Sequence, residues 1–344
     1  MLVSEIKKAT EGTNLSKDSS KRAMNKIMSG KASSEEIASF ITAMKMKGET
    51  HEELTEFAKV MREYSLEIDR ETDVVADNCG TGGDNYNTFN ISTVATFVAA
   101  GAGITVAKHG NRSISSNCGS ADVLEELGVE LDIKPEIAKK LLEEINLTFL
   151  YAPSYHPSMK NAMKPRKRIG IRTFFNILGP LTNPLKPEIQ IVGVFSPDLT
   201  EKIAKVLREL DLKRAMVVHG DGLDEISSVG KTKISELKNG KISNYQISPE
   251  EMGIRKTKPS ALKGGNPSHN AKILNKILNG EAKEKSQVVL ANAGALIYLT
   301  GTVNSIKEGF EIAEKTIETG KALNKLKDLV NYPKVIKNAK RNSS

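Results

Sequence analysis

Over the first seventy residues the apolar positions recur at helical spacing. In SSEEIASFITAMKMKG, Ile37, Phe40, Ile41 and Met44 fall on one face. Ser33 with Glu36 has the spacing of a capping box, and Gly48 is the expected stop. THEELTEFAKVMREY repeats the device with Thr50 and Glu53, followed by Leu54, Phe57, Ala58, Met61 and Tyr64. The pattern predicts short amphipathic helices in a small helical domain.

After Asp69 the period changes. DVVAD, ITVA, LTFLYA, IQIVGVF and AMVVHG are short, nearly continuous apolar runs, as expected of strands buried on both faces. Helical segments are predicted between them at 93–101, 120–127, 135–144 and 199–210. Such alternation predicts an α/β domain with a mostly parallel sheet flanked by helices. The cationic stretch 156–184 interrupts the rhythm, is helical in its first part, and is expected to pack beside the N-terminal helices. Residues 284–329 read as helical again, and the last fifteen or so as a frayed Lys/Asn-rich end.

Four polar loops each begin at the carboxyl end of a predicted strand. GTGGD follows DVVAD, KHGNRSISS follows ITVA, PSYHPSMK follows LTFLYA, and GDGLDE follows AMVVHG. In open α/β sheets that edge is where ligands bind, so the four loops together describe a site.

Composition narrows the choice of ligand. The 344 residues are 39% hydrophobic and 27% charged, with no apolar run near the roughly 20 residues of a membrane helix. The start, MLVSEIKKATEGTNL, lacks the features of a signal peptide. Cys79 and Cys118 are too few for a disulfide framework or a zinc site, so a cytoplasmic chain without a membrane partner is expected. A net charge of +8 suits anionic ligands, either nucleic acid or phosphorylated metabolites. The chain has no Trp and no aromatic-rich basic stretch on which bases would stack.

Each loop admits two readings. Gly80–Asp84 with Asn90, Ile91, Ser92 and Thr93 makes a glycine loop and helix start that can hold an anion, or a tight turn with an N-cap at Ser92 or Thr93. No GK[ST] or G-x-G-x-x-G signature accompanies it. Lys108, His109, Gly110, Asn111, Arg112 and Ser113 can clamp a second phosphate or form a solvated loop. Asp224-Glu225 can hold Mg²⁺ or be solvated. The cluster Lys160, Lys164, Arg166, Lys167, Arg168 and Arg172 can meet nucleic acid, a substrate carboxylate or water, with at most one or two members functional. His109 and His156 lie in site loops. His51, in a helix, and His269, in a loop, are assigned to structure or solvent, and His219, Cys79 and Cys118 to packing.

Taken in order, GTGGD with NIST, KHGNR with CGSADVLEELG, YHPSMK, R-x-x-GIRTFFNILGPLTNP, DEIS and the weaker LANAGALIYL resemble the anthranilate phosphoribosyltransferase family over about residues 35–300. The resemblance implies a small helical domain, 1–70 joined by the inserted 157–183, beside an α/β domain of 71–156 and 184–344. It also implies a homodimer formed through the helical domains. The implied substrates are anthranilate and PRPP (5-phospho-α-D-ribose 1-diphosphate), with one or two Mg²⁺ per subunit. Gly80, Gly83, Asp84, Thr88, Asn90, Ile91, Ser92, Thr93, Lys108, His109, Gly110, Asn111, Arg112, Ser113, Ile114, Ser115, Ser116 and Ser120 would contact PRPP. Ser92, Asp224 and Glu225 would organise Mg²⁺. Anthranilate would meet Gly80, Asn111 and Arg166, near His109, His156 and Gly179.

The same resemblance implies that Lys108 stabilises departing charge while Arg166 and Asn111 orient the acceptor's carboxylate. Two departures stand out. Ser228 replaces a commoner apolar residue, and Asn117-Cys118 replaces a commoner Lys-Ser pair, so the phosphate contact of that lysine is not carried over while the reaction class is. Asp224-Glu225 would repel a nucleic-acid backbone, so nucleic acid is not the expected partner.

Overall fold

The computed structural model describes residues 1–72, 74–83, 86–113 and 117–342, with side chains to 332. Helices α1 (Val3–Thr10), α2 (Lys17–Met28), α3 (Ser34–Lys47) and α4 (His51–Glu63) come first. Both expected capping boxes form: Ser33 and Thr50 each exchange hydrogen bonds with the Glu three residues on. These bonds satisfy amide groups that a helix N-terminus leaves open.

There follow β1 (Ala76–Gly80), α5 (Ile91–Gly101), β2 (Val106–Gly110), α6 (Ser120–Glu126), α7 (Pro135–Ile145), β3 (Leu147–Tyr151) and α8 (Ala152–Tyr155). Next come α9 (Lys160–Ile169), α10 (Phe174–Leu181), β4 (Ile189–Gly193), α11 (Leu199–Glu209), β5 (Arg214–Gly220), β6 (Thr232–Lys238) and β7 (Lys241–Ile247). The chain continues through α12 (Pro267–Leu278), α13 (Lys283–Leu299), α14 (Ile306–Glu318) and α15 (Lys321–Asn342).

The expected α/β class is the observed one. The sheet order is β3-β2-β1-β4-β5-β6-β7, parallel from β3 to β5 and antiparallel through β6 and β7. Strand order reverses between β1 and β4, and a crevice at such a switch point is the usual ligand site of an open α/β sheet. One face packs on α5, α12, α13 and α14. The other packs on α10 and α11 and runs without a break into the core of α1–α4. Phe174 of α10 joins that core, with its ring 6.1 Å from Phe40 and 4.7 Å from Phe57. α9 packs on α2 and α3, and Asn161 donates to Met28 O at 2.8 Å.

Three local expectations are corrected. His269 lies in α12, where its amide is capped by Asn266. The tail is helical as far as Asn342. The β6–β7 hairpin, turning at Asn239 (φ 52°) and Gly240 (φ 74°), was not anticipated.

Candidate active site

The carboxyl ends of β1, β2, β4 and β5 meet over the switch point. β1 delivers Gly80 and the loop Thr81–Gly83. Thr81 N donates to Gly193 O at 2.8 Å, and Thr81 Oγ1 accepts from Phe195 N at 3.2 Å. This ties the glycine loop to the end of β4. The loop after β5 brings Asp224 over both strands, where its Oδ2 accepts from Gly82 N at 2.7 Å. A Cβ on Gly193 would lie 1.6 Å from Asp224 O, so only glycine lets that backbone approach. Sequence reasoning missed Gly193, although a glycine inside an apolar strand run is the signal for such an approach.

Helix α5 begins at Ile91 with Asn90 as N-cap, so neither Ser92 nor Thr93 is the cap. Instead Ser92 N donates to Glu225 Oε1 at 3.1 Å, setting a carboxylate at the positive end of the helix. Desolvation, then the neighbouring Asp224 carboxylate, raise Glu225 to about 8. Lys108 stands behind this pair. It is buried, and its Nζ donates to Asn78 O at 2.5 Å and to Ser92 Oγ at 3.3 Å.

Asp77 holds the floor together. Its carboxylate accepts from His109 N at 3.3 Å, Asn183 Nδ2 at 3.0 Å and Gln190 Nε2 at 3.2 Å, and burial raises it to about 6. Thr96 Oγ1 donates to Asn78 Oδ1 at 2.7 Å.

His109 and His156 are buried side by side. His109 and His156 rings are 5.2 Å apart, and His109 Nδ1 is 3.1 Å from Gly179 O. Burial lowers them to about 3 and about 4, so both are neutral. Among the described residues the Nε2 of each has no partner. Arg166 is half-buried with its guanidinium 4.8 Å over the Phe175 ring, and burial alone lowers it to about 10. No salt bridge to it is present among the described residues, which leaves a half-buried cation suited to an incoming anion.

The remaining expected residues are distributed around this centre. Asn90 is held by Asn270 Nδ2 on its Oδ1 at 2.9 Å and donates to Cys118 O at 3.1 Å. Thr88 pairs with Lys263 in an isolated bridge. Asn111 Oδ1 accepts from Arg112 N, and Asn111 O accepts from Ser120 Oγ, close against Gly110. Ser113 N donates to Asp122. Arg112 turns outward to Asp122 and Glu125 and stacks on Tyr151. Ile91 and Thr93 are buried, and Thr93 lines a void of about 10 Å³ with Thr96, Lys108 and Thr148. Asp84, Ile114, Ser115 and Ser116 lie outside the described residues. Asn270, Asp77, Asn183 and Gln190 went unread in the sequence because their partners are distant along the chain.

Comparison with known proteins agrees with this geometry. Residues 72–323 match the profile described as the a/b domain of the glycosyl transferase family, and residues 3–65 match its helical bundle domain. A protein of Acetivibrio thermocellus named anthranilate phosphoribosyltransferase is 51% identical over 333 residues, 96% of each chain. The crystal structure of anthranilate phosphoribosyltransferase from Thermus thermophilus is 38% identical with a TM-score of 0.91, covering 95% of this chain and 98% of that one. The enzyme of the same name from Saccharomyces cerevisiae, solved with PRPP and Mg, is 31% identical with a TM-score of 0.88, covering 96% of this chain and 97% of that one.

Proposed function

Because this chain belongs to the anthranilate phosphoribosyltransferase family, we propose that its cleft binds PRPP with Mg²⁺ beside anthranilate. The reaction is transfer of the 5-phosphoribosyl group of PRPP to the amine of anthranilate, giving N-(5-phosphoribosyl)anthranilate and diphosphate in tryptophan biosynthesis. One observation carries the assignment of roles. Asp224 bridges the glycine loop and β4 while Glu225 caps α5, with Lys108 behind both. An amide loop, an acid pair and a cation thus converge on one crevice.

The acid pair fits Mg²⁺. Two adjacent carboxylates stand together, Glu225 raised to about 8 by burial and by its Asp224 neighbour, which is the like-charge crowding that a divalent cation relieves. Such an ion takes one or two carboxylates and completes its shell with water and substrate oxygens. Asp224, Glu225 and Ser92 would hold it, and when bound it supplies charge neutralisation to the diphosphate.

The chain's own groups do the rest. Diphosphate entering the glycine loop at Gly80, Gly83 and Asp84 competes with Asp224 for the Gly82 N–H. Thr88, Asn90, Ile91, Thr93, Gly110, Ser120 and the stretch 113–116 complete the PRPP surface, while the Arg112 guanidinium is turned away to Asp122 and Glu125. Lys108 offsets negative charge as diphosphate leaves C1. Arg166 and Asn111 hold the acceptor's carboxylate, with Gly80, His109, His156 and Gly179 shaping its pocket, so that the amine faces C1. Anthranilate's amine is neutral at pH 7, so no base generates the nucleophile and no ribosyl-enzyme forms.

We further propose that 157–183 belongs with residues 1–70 in the helical domain, which the contacts of α9 and α10 support. A homodimer through these domains is supported by exposed Val3, Met46 and Met163. The two unbridged thiols suit the cytoplasm. The test follows anthranilate's fluorescence after mixing protein, PRPP and Mg²⁺. Decay requiring all three supports the reading; persistence of fluorescence under every condition rejects it.

A further inference from the structure

We infer that Arg172 is a further substrate-binding residue, the cation that meets the diphosphate above the glycine loop. The inference rests on the reading of the crevice as a PRPP site.

The structure sorts the six cations of the 160–172 stretch. Lys160, Lys164, Lys167 and Arg168 are exposed, and Arg166 lies on Phe175. Arg172 reaches from the α9–α10 connector onto the glycine loop. Its guanidinium stacks 5.1 Å over the Phe195 ring. It also lies so close to Gly83 that a Cβ there would sit 2.1 Å from Nη2 and 2.4 Å from Cζ. Gly83 has φ 91°, so glycine is required there both by the backbone and by the guanidinium lying on it.

The loop beneath is pinned by the Thr81 bonds to Gly193 and Phe195 and by the Gly82 bond to Asp224. Arg172 therefore roofs a loop whose floor is a metal-site carboxylate. Its charge has no ion-pair partner among the described residues, and the side chain is exposed. Stacking occupies the faces of a guanidinium and leaves its in-plane N–H donors for an anion. The anion whose oxygens would lie between Arg172, the loop amides and Asp224 is the diphosphate. Arg166, on a different ring, remains for the acceptor's carboxylate.

The test compares Arg172→Ala and Arg172→Lys with the wild type. KM for PRPP, KM for anthranilate, kcat and inhibition by inorganic diphosphate with Mg²⁺ are measured, with Tm as the check on folding. Arg172→Ala should raise KM for PRPP and the inhibition constant for diphosphate at least about tenfold, as for loss of a charge-assisted bond, with KM for anthranilate changed less than about twofold. Arg172→Lys should restore part of the loss, since an ammonium keeps the charge without the planar fork. Unchanged PRPP and diphosphate constants in a folded variant, or a shift confined to anthranilate, would overturn the inference. A wild type that does not turn over PRPP with anthranilate would instead sink the reading of the site.

Discussion

Gly193→Ala probes the proposed Mg²⁺ site through a residue that supplies no side chain to it. Its added Cβ would stand 1.6 Å from Asp224 O and 2.4 Å from Asp224 C, whereas ordinary contact begins near 3.4 Å. The Asp224 backbone must retreat by the difference, about 1.8 Å. The 2.7 Å bond from Gly82 N to Asp224 Oδ2 does not survive a displacement of that size. A lost hydrogen bond to a charged group costs about 1.5–3 kcal/mol, and misplacement of a positioning group by 1 Å can cost ~10²-fold in rate. We therefore expect kcat/KM for PRPP to fall about 100-fold or more, with KM for anthranilate little altered. The assay is the initial rate of anthranilate fluorescence loss over a series of Mg²⁺ concentrations, with circular dichroism to establish that the variant is folded. A folded Gly193→Ala enzyme within about threefold of wild type would refute the claim that Asp224 acts from its seat on β4.

Other outcomes follow from single contacts. Arg166→Ala should weaken anthranilate far more than PRPP, by at least about tenfold in KM, because it removes the half-buried cation over Phe175; equal losses would reassign Arg166 to phosphate binding or folding. Asn270→Ala leaves Asn90 Oδ1 only the weak Cys118 Sγ donor at 3.4 Å and should raise KM for PRPP several-fold without touching KM for anthranilate, which steady-state kinetics will check. His109 and His156 are lowered from 6.5 to about 3 and about 4, so the unfolded chain takes up their protons first as pH falls. Their contribution to stability is therefore full above 6.5 and lost as pH drops toward about 4 for His156 and about 3 for His109. Replacing His156 with Gln should flatten that acid limb in Tm against pH, and an unchanged slope would contradict its neutral burial. Asp77, raised to about 6 from 3.8, acts in the opposite sense: its contribution declines as pH rises through the same window. Asp77→Asn should steepen the acid limb.

What was legible in the sequence is what short-range physics fixes. Two capping boxes announced α3 and α4 because the Ser33–Glu36 and Thr50–Glu53 bonds are made within one turn. Five apolar runs announced β1–β5, and the polar loops after them marked the crevice, because parallel strands place successive loops on one edge. Some local signals were present and unread. Asn239-Gly240 is a two-residue hairpin turn with φ > 0 at both positions, and Asn266-Pro267 is an N-cap followed by proline at the first helical position. The start of α5 at Ile91 was read two residues late, because Ser92 and Thr93 resemble caps when Asn90 is the residue that precedes the helix.

The rest depends on partners far apart in the chain. Nothing near Asn90 names Asn270, nothing near Asp77 names Asn183 or Gln190, and nothing near Gly83 names Arg172. Arg112 shows the converse. Its sequence neighbours suggest phosphate, yet Asp122 and Glu125, both on α6, hold its guanidinium outward.

The most direct measurement is a crystal structure of this chain grown with PRPP and Mg²⁺. A metal is expected between Asp224, Glu225 and Ser92, with diphosphate on the Gly80–Gly83 loop and the Gly82 N–H transferred from Asp224 to a phosphate oxygen. Diphosphate bound elsewhere, for example in the groove of Lys21, Arg22, Lys26 and Lys31 on and just after α2, with the Gly82–Asp224 bond intact, would contradict it.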